Sequence, residues 1–262
     1  MIGDSGYRNA GRAFLTNMLS PLVEALAAAG VRANAVTLFS LAAGLVAGVA
    51  LAFDHFGWAT LAIAVASLGD AVDGMLARHT RTASVGGALL DAAVDRYEEL
   101  FVLAGLAVLY HGSVPVLVMV LVAIGGSFMV SYGSAKAEGL RVRVPDGMMR
   151  RAERAALLCG GVALVCVAEA VARRADLPWL QSVAHAPVLV AVAIVAVGAN
   201  VSAVRRLRWI AVAASPVPAR ETGGRVVLDS THERPVTPVR SVPAVFARGW
   251  ARASTTPPSP PR

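Results

Sequence analysis

The chain has 262 residues, 56% of them hydrophobic and only 16% charged, with a net charge of +7 and a mean hydropathy of +0.62. A soluble domain carries about a quarter charged residues; here the charges cluster between long apolar runs, which excludes an ordinary soluble globule and describes a polytopic helical membrane protein. The basic residues flank apolar segments instead of sharing a polar face with aromatics, so membrane topology accounts for them and no nucleic-acid partner is expected.

Residues 1–33 form an N-terminal segment. Within about 8–30, Phe14, Leu15, Met18, Leu19, Leu22, Val23 and Leu26 recur at helical spacing, while Arg12, Asn17 and Glu24 take the other side. This pattern predicts an amphipathic helix lying on the membrane surface. Six apolar spans follow at about 35–53, 56–76, 86–110, 114–137, 153–172 and 184–204, each near the ~20 residues that cross the hydrocarbon. The fold expected for 34–208 is therefore all-α, with six transmembrane helices. Residues 209–262 turn to Pro, Ser, Thr and Arg, a composition that buries no core and predicts a disordered cytoplasmic tail. Cys159 and Cys166 lie two helical turns apart, about 10 Å, which is too far for a disulfide.

The connections alternate in charge. Arg8, Arg12 and Arg32 precede the first span, and Arg78, His79 and Arg81 separate the second from the third. Lys136, Arg141, Arg143, Arg150, Arg151 and Arg154 separate the fourth from the fifth, and Arg205, Arg206 and Arg208 follow the sixth. The other connections hold little Lys or Arg apart from Arg173-Arg174. The positive-inside rule thus predicts an integral protein of the cell membrane with both termini cytoplasmic.

The chemistry concentrates between spans two and three, in Gly69-Asp70-Ala71-Val72-Asp73-Gly74-Met75-Leu76-Ala77-Arg78 and Gly87-Ala88-Leu89-Leu90-Asp91-Ala92-Ala93-Val94-Asp95-Arg96. Spacings of three and four put each aspartate pair on one helical face, with Cβ atoms about 5–6 Å apart. Antiparallel neighbours joined by a short loop bring both pairs to the same depth. At a span's centre each carboxylate costs about 2.5–3.5 kcal/mol, a set cost that needs a compensating ligand. All-oxygen ligands suit Mg²⁺ or Mn²⁺, and four carboxylates suit two such ions clamping a phosphoryl group. Gly74 and Gly87 leave backbone open to a ligand, Ala77 adds a small position, and Arg78 pairs with phosphate. The alternatives are loop-end charges paired with Arg78, Arg81 and Arg96, or a cation transporter with intramembrane aspartates.

D-x2-D-G-x2-A-R-x8-G-x3-D-x3-D resembles the motif of the CDP-alcohol phosphotransferase family, with all eight specified residues at the family's spacing. The resemblance covers the six spans and the surface helix. It implies an enzyme of phospholipid biosynthesis, six membrane helices around a polar cytoplasm-facing cavity, and a homodimer. It also implies attack by an alcohol hydroxyl on the β-phosphorus of a CDP-linked lipid such as CDP-diacylglycerol, with release of CMP. Carried over residue by residue, Asp70, Asp73, Asp91 and Asp95 hold the metals and Asp95 is also the catalytic base. Asp70, Gly74, Ala77, Arg78 and Gly87 then form the CDP-donor site. The family's Pro-Asn-x-x-Thr entry to span one reads Ala33-Asn34-Ala35-Val36-Thr37; Asn34 and Thr37 are either nucleotide contacts or a helix cap with an ordinary threonine. Lys136, Arg154 and Arg205 resemble the acceptor-phosphate cations of the phosphatidylinositol-phosphate and archaetidylinositol-phosphate synthase branch, which implies inositol phosphate as acceptor. Glycerol-3-phosphate or another polyol is the alternative.

Overall fold

The computed structural model describes residues 4–144 and 149–214, with side chains of the first helix described from Thr16 onward. These residues form α1 (Asp4–Ala28), α2 (Ala33–Ala52), α3 (Phe56–His79), α4 (Val85–Leu109), α5 (Val114–Gly139), α6 (Arg151–Ala175), α7 (Pro178–Val183) and α8 (Ala186–Ala214). The predicted tail overlaps α8 up to Ala214; its remainder, 215–262, lies outside the described residues.

The chain is an all-α, multi-span membrane protein. Among the described residues, α2, α3, α5, α6 and the stretch Pro178–Ala214 are long and apolar enough to cross a membrane. Five of the six expected spans meet that description, and the sixth, α4, does not. Its length suffices, but Asp91, Asp95, Arg96, Glu98 and Glu99 crowd its middle, so only 100–109 is a charge-free run at its end. Large apolar side chains such as Phe39 and Val46 on α2 and Val197 and Val204 on α8 stay exposed. An outward apolar belt of this kind faces lipid and not water.

α1 packs on α3: Leu19 and Val23 join Val72 and Leu76 in one small buried cluster. Met18 and Leu22, on the same predicted stripe, are exposed. The main core runs through α2–α6 and α8, centred on residues such as Leu51, Leu103, Leu106, Val162 and Val195.

Glycines allow α2 and α4 to meet backbone to backbone. A Cβ on Gly105 of α4 would overlap the Gly48 carbonyl of α2, and one on Gly48 would overlap the Phe101 carbonyl. Small residues allow such backbone-on-backbone packing in membrane helices. The contact locks α4 against α2, and with it the aspartates one end of α4 carries. Cys159 and Cys166 are both free and partly buried.

Candidate active site

α3 and α4 deliver the aspartates through a short, well-closed turn. α3 ends as Arg81 adopts φ 55°, the Thr82 N–H donates to the Ala77 carbonyl at 2.9 Å and the Arg81 N–H to the Arg78 carbonyl at 3.3 Å. This is the Schellman pattern, with arginine where glycine is usual. α4 then starts at Ser84, whose Oγ accepts from the Gly87 N–H at 3.0 Å, the ordinary serine N-cap.

Carboxylate oxygens of Asp70, Asp91 and Asp95 lie within 4.8 Å of one another. All three residues are half-buried, and Asp73 is buried. Asp73 stands apart from that group because its Oδ2 accepts a 2.5 Å hydrogen bond from Thr37 Oγ1 on α2. The threonine thus bears directly on the motif.

A cation sits among these acids. Arg151 Nη2 donates to Asp70 Oδ2 at 2.7 Å and lies 3.4 Å from Glu98 Oε2, while Nη1 is 2.5 Å from Asp95 Oδ1. The last contact has ion-pair distance without hydrogen-bond geometry, for Asp95 Oδ1 is buried with no hydrogen-bond partner, as are Asp70 Oδ1 and Glu98 Oε1. Buried carboxylate oxygens left unsatisfied beside one another are costly unless a further positive group binds them. Three convergent carboxylates with spare oxygens are the donor set a hard divalent cation takes. The residues therefore fit such an ion.

Two cavities flank the cluster. One, about 550 Å³, is lined by Asn34, Thr37, Asp73, Gly74, Ala77, Arg78, Ser84, Gly87 and Asp91, among others. Every residue expected to bind the donor except Asp70 is on this wall. A Cβ on Gly87 would sit 3.2 Å from Ser84 Oγ and 3.5 Å from Asn34 Oδ1, and one on Gly74 would sit 3.4 Å from Arg78 Nη1; both positions keep that wall open. The other cavity, about 420 Å³, is lined by Asp95, Arg96, Glu99, Ser131, Ser134, Arg150, Arg151, Arg154 and Arg206, among others. Asp91 and Asp95, one turn apart on α4, face different cavities.

The expected acceptor cations separate. Arg154 is on the second wall, where Glu99 holds it by a two-pronged pair at 2.6 and 2.7 Å. Lys136 and Arg205 are exposed and line neither cavity. Arg206, one position on, faces the cavity and hydrogen-bonds Ser134 Oγ. Residues missed by sequence reasoning are Arg151, Glu98, Glu99 and Arg206. The run of acids continuing Asp95 along α4, and the Arg-Arg-x-x-Arg at the start of α6, were the available signals.

A second group, Asp54, Glu169 and His185, also brings its ligand atoms within 4.8 Å. Its Asp54 lies at the α2–α3 turn, sixteen residues before Asp70 or about 24 Å along a helix, with Glu169 on α6 and His185 just before α8. His185 Nδ1 is 3.0 Å from the Tyr110 hydroxyl and Nε2 is 3.4 Å from Glu169 Oε1. This group is remote from both cavities.

Residues 31–214 match the family model for CDP-alcohol phosphatidyltransferases. A phosphatidylinositol phosphate synthase of Mycobacteroides abscessus is 33% identical over 154 residues, spanning 57% of this chain and 70% of the relative. An archaetidylinositol phosphate synthase of Pyrococcus horikoshii is 32% identical over 122 residues, spanning 46% of this chain and 62% of the relative. The fold is similar to that of the Mycobacterium tuberculosis phosphatidylinositol phosphate synthase with CDP-DAG bound, at TM-score 0.63 and 21% identity, covering 80% of this chain and all of that one. It is similar at the same TM-score to that protein in complex with manganese and citrate, with 22% identity, covering 75% of this chain and 92% of that one.

Proposed function

The chain belongs to the CDP-alcohol phosphatidyltransferase family, and from that premise we propose that it transfers a phosphatidyl group from CDP-diacylglycerol to inositol phosphate, releasing CMP. One observation carries the proposal: Asp91 and Asp95 lie one turn apart on a single helix and face separate cavities. A donor in one and an acceptor in the other would meet across these neighbouring carboxylates, whose oxygens lie within 4.8 Å. The relatives named phosphatidylinositol phosphate and archaetidylinositol phosphate synthases support the acceptor.

Each wall has chemistry to match. On the donor side Arg78 offers a guanidinium to phosphate, and the α4 N-terminus presents unpaired N–H groups beside Ser84 and Gly87, a favourable seat for an anion. Asn34 and Thr37 complete that side, with Thr37 also orienting Asp73. Asp70, Asp73, Asp91 and Asp95 would hold Mg²⁺ or Mn²⁺, two ions on this reading, which when bound neutralise developing charge on the pyrophosphate. Asp95 faces the acceptor cavity, where it takes the proton from the attacking hydroxyl as general base. The P–O bond to CMP breaks as the new P–O bond forms. Arg154 and Arg206 place positive charge where an acceptor phosphate would lie, and Lys136 and Arg205 fall outside that wall.

The same proposal includes α4 as a sixth span. Its acids face protein cavities and not lipid, which is how ionisable residues are carried through a membrane helix. With Arg-rich connections cytoplasmic, Thr82→Cys should resist a membrane-impermeant maleimide in intact cells while Gly112→Cys is labelled; the reverse pattern refutes the orientation. A homodimer is expected to show as two chains by native mass spectrometry, and a lone chain across the working concentration range would count against it.

The activity is tested by supplying purified protein with CDP-diacylglycerol, Mg²⁺ and a panel of inositol phosphate, inositol and glycerol-3-phosphate. CMP release should need inositol phosphate. Release only with glycerol-3-phosphate would reassign the acceptor, and none with any acceptor would end the enzymatic reading. Asp95→Asn should cut turnover by about a hundredfold or more while donor binding persists.

A further inference from the structure

Arg151 lies outside the eight-residue motif, yet it ion-pairs with two of the motif's carboxylates, Asp70 and Asp95. We propose that Arg151 is a displaceable counter-ion of the cluster, and that Glu98 is the positioning residue that receives it when Asp70 and Asp95 turn to a divalent cation. The inference rests on the metal-cluster reading above and deepens it.

The geometry supplies both ends of the movement. Arg151 Nη2 already divides itself between Asp70 Oδ2 at 2.7 Å and Glu98 Oε2 at 3.4 Å. Glu98 Oε1 is buried with no hydrogen-bond partner, so Glu98 has one loose contact to Arg151, through Oε2, and one oxygen still to be satisfied. A carboxylate offers a guanidinium fork two parallel bonds, the strongest arrangement open to arginine. Glu99 is not an alternative recipient, because both of its oxygens are held by Arg154 at 2.6 and 2.7 Å.

The surroundings restrict the movement to the arginine side chain. Glu153 Oε2 accepts from the Arg150 N–H at 2.9 Å and fixes the first turn of α6. Gly44 of α2 backs Glu98 so closely that a Cβ there would come within 2.8 Å of Glu98 Cγ. A small cavity of about 60 Å³ adjoins Glu98, Arg151, Gly44 and Ser67, leaving room beside the pair. Without Glu98, an arginine released from Asp70 would lose its carboxylate partners while still partly shielded from water, its side chain being 38% exposed, and that loss would oppose cation binding. Glu98 therefore acts on the cation only through Arg151.

That dependence is what an experiment reads. Mn²⁺ alone is titrated into the purified full-length protein in detergent, with free Mn²⁺ followed by electron paramagnetic resonance. Arg151→Gln should tighten Mn²⁺ binding by about tenfold, the effect of removing a competing partly buried cation. Glu98→Gln should weaken binding by about threefold to tenfold, and Glu98→Asp, which keeps a receiving carboxylate, should weaken it less. The Glu98→Gln/Arg151→Gln double variant should bind as Arg151→Gln does. Equal weakening by Glu98→Gln with and without Arg151 would make Glu98 a direct ligand and overturn the inference. So would Arg151→Gln binding Mn²⁺ no tighter than the parent protein. If the parent protein binds no Mn²⁺, the metal-cluster reading falls and takes this inference with it; parent binding with no split between variants overturns this inference alone.

Discussion

Arg205 and Arg206 differ by one residue and by about 100° around α8, and only Arg206 reaches the basic cavity. Its contact with Ser134 ties α8 to α5 on that wall. Arg206→Ala should raise the acceptor KM by about tenfold, the worth of one charge-assisted phosphate contact, with the donor KM unchanged. Arg205→Ala should change either constant by less than about twofold, as exposed charges do; initial rates at varied inositol phosphate decide this. The aspartates were legible in the sequence because four acids at helical spacing, interleaved with Gly, Ala and Arg, leave few other uses for so much charge. Which of two adjacent arginines faces inward was not legible, since the charge bias of cytoplasmic loops places both there. Glu98 and Arg151 escaped for a related reason: each reads alone as an interfacial charge, and only the approach of α6 to α4 pairs them.

Helix α4 shows what an element contributes beyond its residues. Its carboxylates are held in place by a contact more than two turns away, where Gly105 meets the Gly48 backbone. Gly105→Val should separate α2 from α4 and destabilise the fold by about 1–3 kcal/mol through overpacking. Gly125→Ala, at a position with nothing near its would-be Cβ, should leave stability unchanged within about 0.5 kcal/mol. Thermal unfolding in one detergent measures both. The existence of α2, α3, α5, α6 and α8 was readable from apolar length alone. The sequence also reads 86–110 as an apolar span, and α4 forms there, but its acids keep it from meeting the same apolar measure. The short α7, opened by Pro178, is set by a local turn that a search for long apolar runs passes over.

At the scale of the molecule, the family resemblance implies one polar cavity, and among the described residues two flank the aspartates, of about 550 and 420 Å³. The division arises because the two cavities open on either side of one aspartate stripe, and α5, α6 and α8 build the second wall from residues far along the chain. That partition dictates kinetic order. Two compartments on either side of neighbouring carboxylates let each substrate enter without waiting for the other. The intersecting lines of a ternary-complex mechanism are therefore expected when both concentrations are varied, and parallel lines would mean a covalent lipid–enzyme stage. On the proposed function CMP, the part of the donor released, should inhibit competitively against the CDP-lipid whose cavity it occupies.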